Sequence, residues 1–138
     1  MPFDSMGLSA QQFIAMLDGD LVQQQVFALK KLKDLVKYHW HEIADALPRI
    51  EEFIGDPAFP KKELAAYVAS QVFYYLEESE DALRLALDAG EKFDIREENS
   101  YVRTLLNKCL DQYMQVQQHN YEKRNSPESL IPKTHQFE

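Results

Sequence analysis

His39 and His41 flank Trp40, and imidazole nitrogens are among the commonest zinc ligands. Their spacing defeats a shared ion, because residues two apart on a helix point to nearly opposite sides. His119 and His135 fall in or near the C-terminal stretch, where helical patterning fades. Cys109, the single cysteine, lies inside an apolar stripe, with Lys108 turned elsewhere by its register. A packed, inert thiol is expected there, not a nucleophile. Glu77, Glu78, Glu80 and Asp81 form the densest group of carboxylates. They stand at a helix start, where the helix dipole accounts for them without acid–base chemistry. Calcium needs an ordered twelve-residue ligand loop, which is missing. The four scattered glycines build no phosphate-cradling loop. The residue pattern therefore points to no catalytic residue, no metal site and no cofactor.

Composition narrows the classes further. The 138 residues carry a net charge of −8, which disfavours a phosphate backbone as partner. The basic run Lys30 to Lys37 reads as a solvated helix face. With one cysteine no internal disulfide can form, which fits a reducing compartment. No apolar run reaches the roughly 18 residues of a membrane span, and the start lacks the basic and apolar regions of a signal peptide. The expected location is cytoplasm and nucleus, with no nucleic-acid or membrane partner.

The elements that would position these residues are all helical. Ser9 and Gln12 form a possible capping box ahead of a short helix carrying Phe13, Ile14 and Leu17. Asp20 is placed to cap a second helix, with Val22, Val26, Leu29, Leu32 and Val36 at helical spacing. Trp40, Ile43, Leu47, Ile50 and Ile54 continue the spacing through Pro48, so one element kinked near Leu47 is expected. Pro60 suits the first position of the next helix, whose inward set is Leu64, Ala65, Val68, Ala69, Val72, Phe73 and Leu76. Glu77 and Glu78 read as a turn and Ser79 as a cap. The following helix carries Ala82, Leu83, Ala86, Leu87 and Ala89, and Gly90 is placed to end it. Asn99 or Ser100 opens a last helix with an apolar stripe from Tyr101 to Met114. Residues 1–120 read as one helical rod domain and 121–138 as a flexible or loosely docked tail.

Sequential antiparallel hairpins follow from the short connections. The expected fold is all-α, a right-handed stack of about five or six helices. Ala66, Ala69, Ser70 and Phe73 on one helix, with Ala82, Ala86 and Ala89 on the next, give small surfaces that let helix axes approach closely. This hairpin resembles a tetratricopeptide unit, and stacked hairpins of that kind are mostly scaffolds. Tyr74 and Tyr75 diverge by roughly 100° on the helix, which places one or both at the core edge as candidate protein contacts.

The segments "FALKKLKDLVKYHWHEIADALPRIEEF", "LAAYVASQVFYYLEESEDALRLALDAGEKFDI" and "NSYVRTLLNKCLDQY", in that order, closely resemble the N-terminal region of the non-ATPase regulatory subunit 1 family of the 26S proteasome. The likeness covers about residues 13–117. It implies a helical rod in the largest scaffold subunit of the regulatory-particle base, with a non-catalytic role in ubiquitin-dependent degradation. The implied partners are other regulatory-particle subunits and the rest of a longer chain of its own. Pro48 and the two histidines beside Trp40 depart from the family pattern. The rival expectation is a free-standing tetratricopeptide-like adaptor that grips a peptide or partner helix. Such an adaptor needs basic or asparagine side chains aligned on one face.

Overall fold

The computed structural model describes residues 9–124. Within them the chain forms α1 (Gln11–Leu17), α2 (Val22–Ala44), α3 (Leu47–Gly55), α4 (Lys62–Tyr75), α5 (Ser79–Asp88), a 3-10 turn (Gly90–Lys92) and α6 (Ser100–Arg124). No strand occurs among the described residues. The helices pack one on the next in a solenoid-like arrangement. α1 lies on α2, α4 is packed by α2, α3 and α5, and α6 leans on α5.

The apolar periodicity explains this order. Leu29, Leu32, Val36, Ile43, Ile50, Leu64, Val68 and Val72 are buried in one core spanning α1 to α4. Leu85 of α5 joins that core, although the apolar pattern favoured Leu87, which is 66% exposed. A second cluster forms where Ala82, Leu83 and Ala86 of α5 meet Tyr101, Val102 and Leu105 of α6. Fully burying a leucine-sized side chain contributes about 1.5–3 kcal/mol, so both clusters matter to the chain's stability.

Pro48 corrects the expectation of a kinked helix. α2 ends at Ala44, the chain turns through Asp45 and Ala46, and Pro48 stands in the first turn of a new helix. There its missing N–H costs nothing. The apolar spacing survives the break because Ile43, Leu47 and Ile50 all stay buried. The distortion inside α2 instead falls at His39, with φ −130° and ψ 23°.

Several caps also differ from expectation. Leu21, not Asp20, precedes α2, and no side chain caps it. Gln25 does related work: its amide donates to Gly19 O at 2.7 Å and Leu17 O at 3.4 Å, satisfying carbonyls left open where α1 ends. Arg49 Nε also donates to Leu17 O, at 3.1 Å, tying α3 to the same corner. Ser9 Oγ accepts from Gln11 N–H at 3.2 Å, but Ala10 holds the cap position of α1. Pro60 lies two residues ahead of α4, behind Lys61 at the cap. Glu78 holds the cap position of α5 and Ser79 is its first residue. Two readings hold: Asn99 Oδ1 accepts from Val102 N–H at 2.8 Å, and Gly90 follows α5 with φ +60°, the left-handed geometry glycine tolerates.

Glu42 fastens α1 onto α2. Its Oε1 accepts from Ala10 N–H at 3.0 Å, and its Oε2 lies 3.1 Å from His39 Nδ1. Burial acts to raise this carboxyl, yet the bonds from His39 and Ala10 outweigh it and hold it below the ordinary 4.5.

Candidate protein-interaction site

The hairpin of α4 and α5 turns tightly at Glu77, a non-glycine residue with φ 63°. Ala66, Ala69 and Ser70 of α4 are fully buried, as are Ala82 and Ala89, and Ala86 is 1% exposed. Phe73 is half-buried and packs against both apolar clusters. The small residues thus lie inside, on elements that pack on each other.

Ser70 links three helices through one hydroxyl. Its Oγ donates to Ala82 O of α5 at 2.6 Å and lies 2.7 Å from Tyr101 Oη of α6. A serine hydroxyl has one proton, and the Ala82 carbonyl can only accept. Tyr101 must therefore donate to Ser70. This polar node was not anticipated from the sequence, where Ser70 counted only as a small residue and Tyr101 only as an apolar one.

Tyr101 sits at the centre of an aromatic group. Its ring meets Tyr67, Tyr74 and Phe93 edge-on, with centroids 6.0, 5.5 and 5.7 Å away. Edge-to-face pairs at such distances add to simple burial. Tyr74 and Tyr75 are both half-buried, and their rings are 4.9 Å apart. Tyr75 stacks on Trp40 at 6.0 Å, and Trp40 stacks on His41 at 4.2 Å. The two tyrosines therefore brace α2 and α6 and keep part of their surface at the edge.

Burial pushes the Tyr101 phenol well above its ordinary 10.0; the Ser70 bond acts the other way and nearby Tyr67 adds to the rise. Burial also raises Tyr67, helped by the charge of Glu97. Both phenols stay protonated in the fold at a pH where the unfolded chain would ionise them. Their contribution is complete below the unfolded value and is lost as pH rises beyond it. Urea unfolding should show stability falling above about pH 10, and Tyr101→Phe should flatten that decline.

α6 departs furthest from expectation. Tyr101, Val102 and Leu105 are buried, but Leu110, Tyr113 and Met114 are 59–64% exposed. Cys109 is exposed as well, which corrects the packed thiol inferred from the stripe. The reason is length. α5 has 10 residues and α6 has 25, or about 15 Å against about 37 Å, so α6 outruns the helix it packs on. Its apolar stripe continues with nothing from this chain over it among the described residues. Leu83, Leu87, Ile95, Leu106 and Cys109 border an apolar cavity of about 260 Å³ at the near end of that face. The helix itself runs through Arg124, so the first residues of the expected tail are helical. The remainder, 125–138, lies outside the described residues.

Chemical groups do not converge elsewhere. Among the described residues no three His, Cys, Asp or Glu side chains are placed to hold a metal, and no helix is long and apolar enough to cross a membrane. Lys108 pairs with Glu80 at 3.5 Å, which links the acidic start of α5 to α6.

The family model of the 26S proteasome subunit RPN2, N-terminal domain, matches residues 8–136. The chain is 44% identical over 106 residues to the 26S proteasome non-ATPase regulatory subunit 1 of Drosophila melanogaster, covering 77% of this chain and 10% of that protein. It is 34% identical over 125 residues to the 26S proteasome regulatory subunit RPN2 of Candida glabrata, covering 91% and 13%. The corresponding subunit of Schizosaccharomyces pombe is 41% identical over 106 residues, covering 77% and 11%. The chain thus spans about a tenth of the length of the curated relatives it matches.

Proposed function

This chain belongs to the RPN2 N-terminal-domain family, and from that premise we propose that it is a non-catalytic scaffold segment of the proteasome regulatory particle. It would support subunit assembly for ubiquitin-dependent degradation, in cytoplasm and nucleus. The observation that carries this reading is the division of labour between the two sides of its apolar pattern. The alanine-lined sides of α4 and α5 are consumed in internal packing, whereas the outer half of α6 presents Leu110, Tyr113 and Met114 to solvent. A helix apolar on an outward side is suited to receive another helix. Following helices of a longer chain and other regulatory-particle subunits are the proposed occupants. Tyr74 and Tyr75 are proposed as secondary protein contacts at the core edge. The rod is taken to run at least to the end of α6 at Arg124.

The test is affinity purification of the tagged full-length protein followed by mass spectrometry. Regulatory-particle base and lid subunits are expected in stoichiometric amounts. Recovery without any proteasome component contradicts the proposal.

A further inference from the structure

α1 is 7 residues long, and Leu17 is its one buried side chain. A helix that short does not persist alone in water. It packs chiefly on α2, whereas α4 is braced by α2, α3 and α5. Side chains from other helices close both of its ends. At the start, Glu42 of α2 accepts from Ala10 N–H at 3.0 Å. At the end, Gln25 of α2 donates to Leu17 O and Gly19 O, and Arg49 of α3 donates to Leu17 O. Glu42 and Arg49 each hold a second partner that is not in α1. His39 lies 3.1 Å from Glu42, and Glu52 lies 2.7 Å from Arg49. Departure of α1 therefore strands neither charge.

We propose that α1 is a latched cover, which opens as one unit from an otherwise folded chain, with Glu42 as its catch. A segment with few buried side chains lies at the low end of local opening free energies. Seven residues make about two turns, so losing either end leaves too little helix to persist. Opening is therefore all-or-none. Glu42 is the catch because its bond to Ala10 is charge-assisted and Ala10 is fully buried. In the closed form no water can take the place of the carboxylate on that N–H. Opening bares the place that Leu17 fills in the main core and the ring of Phe27, on which Phe13 rests at 6.2 Å. This end of the stack thus has a closed form and an open, more apolar one. The device uses none of the α6 face and holds whichever assembly the chain serves.

Hydrogen exchange of the ¹⁵N-labelled 138-residue chain, followed by NMR at low urea concentrations, tests this. The amides of Ile14, Met16 and Leu17 should share one opening constant with a small urea slope, because the slope follows the surface exposed. The Val68 and Val72 amides of α4 should open far more rarely and with a steeper slope. Glu42→Ala should raise the α1 opening constant about tenfold or more. Val68→Ala should speed exchange in α4 and leave the α1 constant unchanged. Rates graded from Phe13 to Leu17 would mark simple fraying and overturn the proposal. So would α1 amides that match Val68 in rate and urea slope, or that follow Val68→Ala, since α1 would then open only with the whole chain. An α1 constant indifferent to Glu42→Ala removes Glu42 as the catch and overturns it as well.

Discussion

Replacing Tyr101 with alanine should cost about 3–5 kcal/mol, the range for emptying a buried aromatic site. The ring is 7% exposed and is the hub of contacts from Tyr67, Tyr74 and Phe93. The alanine variant loses all three edge-on pairs at once, and with them the bond from Tyr101 to Ser70. Tyr101→Phe keeps the ring and removes only the bond to Ser70, so about 1 kcal/mol is expected. Set against a typical domain stability of about 5–15 kcal/mol, the alanine variant should lose a large share of its margin. Urea unfolding monitored by circular dichroism gives both numbers. Hydrogen exchange should show α6 losing protection first in the alanine variant, because Tyr101, Val102 and Leu105 are its buried residues. A loss below about 1 kcal/mol for Tyr101→Ala would mean that α6 is not anchored through this ring.

Ala82→Leu should be the most damaging enlargement, by about 1–3 kcal/mol or more. Ala82 is fully buried, and its own carbonyl accepts from Ser70 across the hairpin at 2.6 Å. The backbone there is therefore held against α4, and a leucine side chain must force the helices apart or break the Ser70 bond. Ala15→Leu on the exposed side of α1 adds the same atoms where nothing resists them. That change should stay within about 0.5 kcal/mol. Thermal melts of the two variants compare burial with bulk directly. Equal effects would remove the case for a tightly packed seam.

The helical plan was legible because its signals are local. Apolar residues at helical spacing located the helical segments, though α2 and α3 read as one element; Asn99 and Gly90 marked true ends, and the small residues at Ala66, Ala69, Ala82 and Ala86 lie buried. The misreadings have two causes: some turn on a shift of one to three residues at a helix end, and others on contacts that helical spacing does not record. Pro48 reads equally as a kink or a start until the Asp45–Ala46 turn decides it. Gln25 looks like a polar surface residue until the carbonyls of Leu17 and Gly19 come within reach. Asp20 and Ser79 have capping side chains but stand one residue away from the observed caps. Leu85 and Leu87 exchange roles because α5 is braced from one side by the main core and from the other by α6. Cys109 and Met114 carry a stripe that predicts burial, but periodicity records a helix's apolar face and not whether this segment supplies the cover. The Ser70–Tyr101 node needs contact between residues 31 apart, which no spacing rule encodes.

The exposed thiol of Cys109 allows the most direct measurement, since it lies on the α6 face proposed to receive other helices. Its labelling rate with a maleimide is compared between the isolated 138-residue chain and the full-length protein within purified proteasomes. Rapid labelling of the isolated chain and strong protection in the assembly are expected. Equal rapid labelling in both would show that face open to solvent in the finished particle and would contradict its use as a mounting surface.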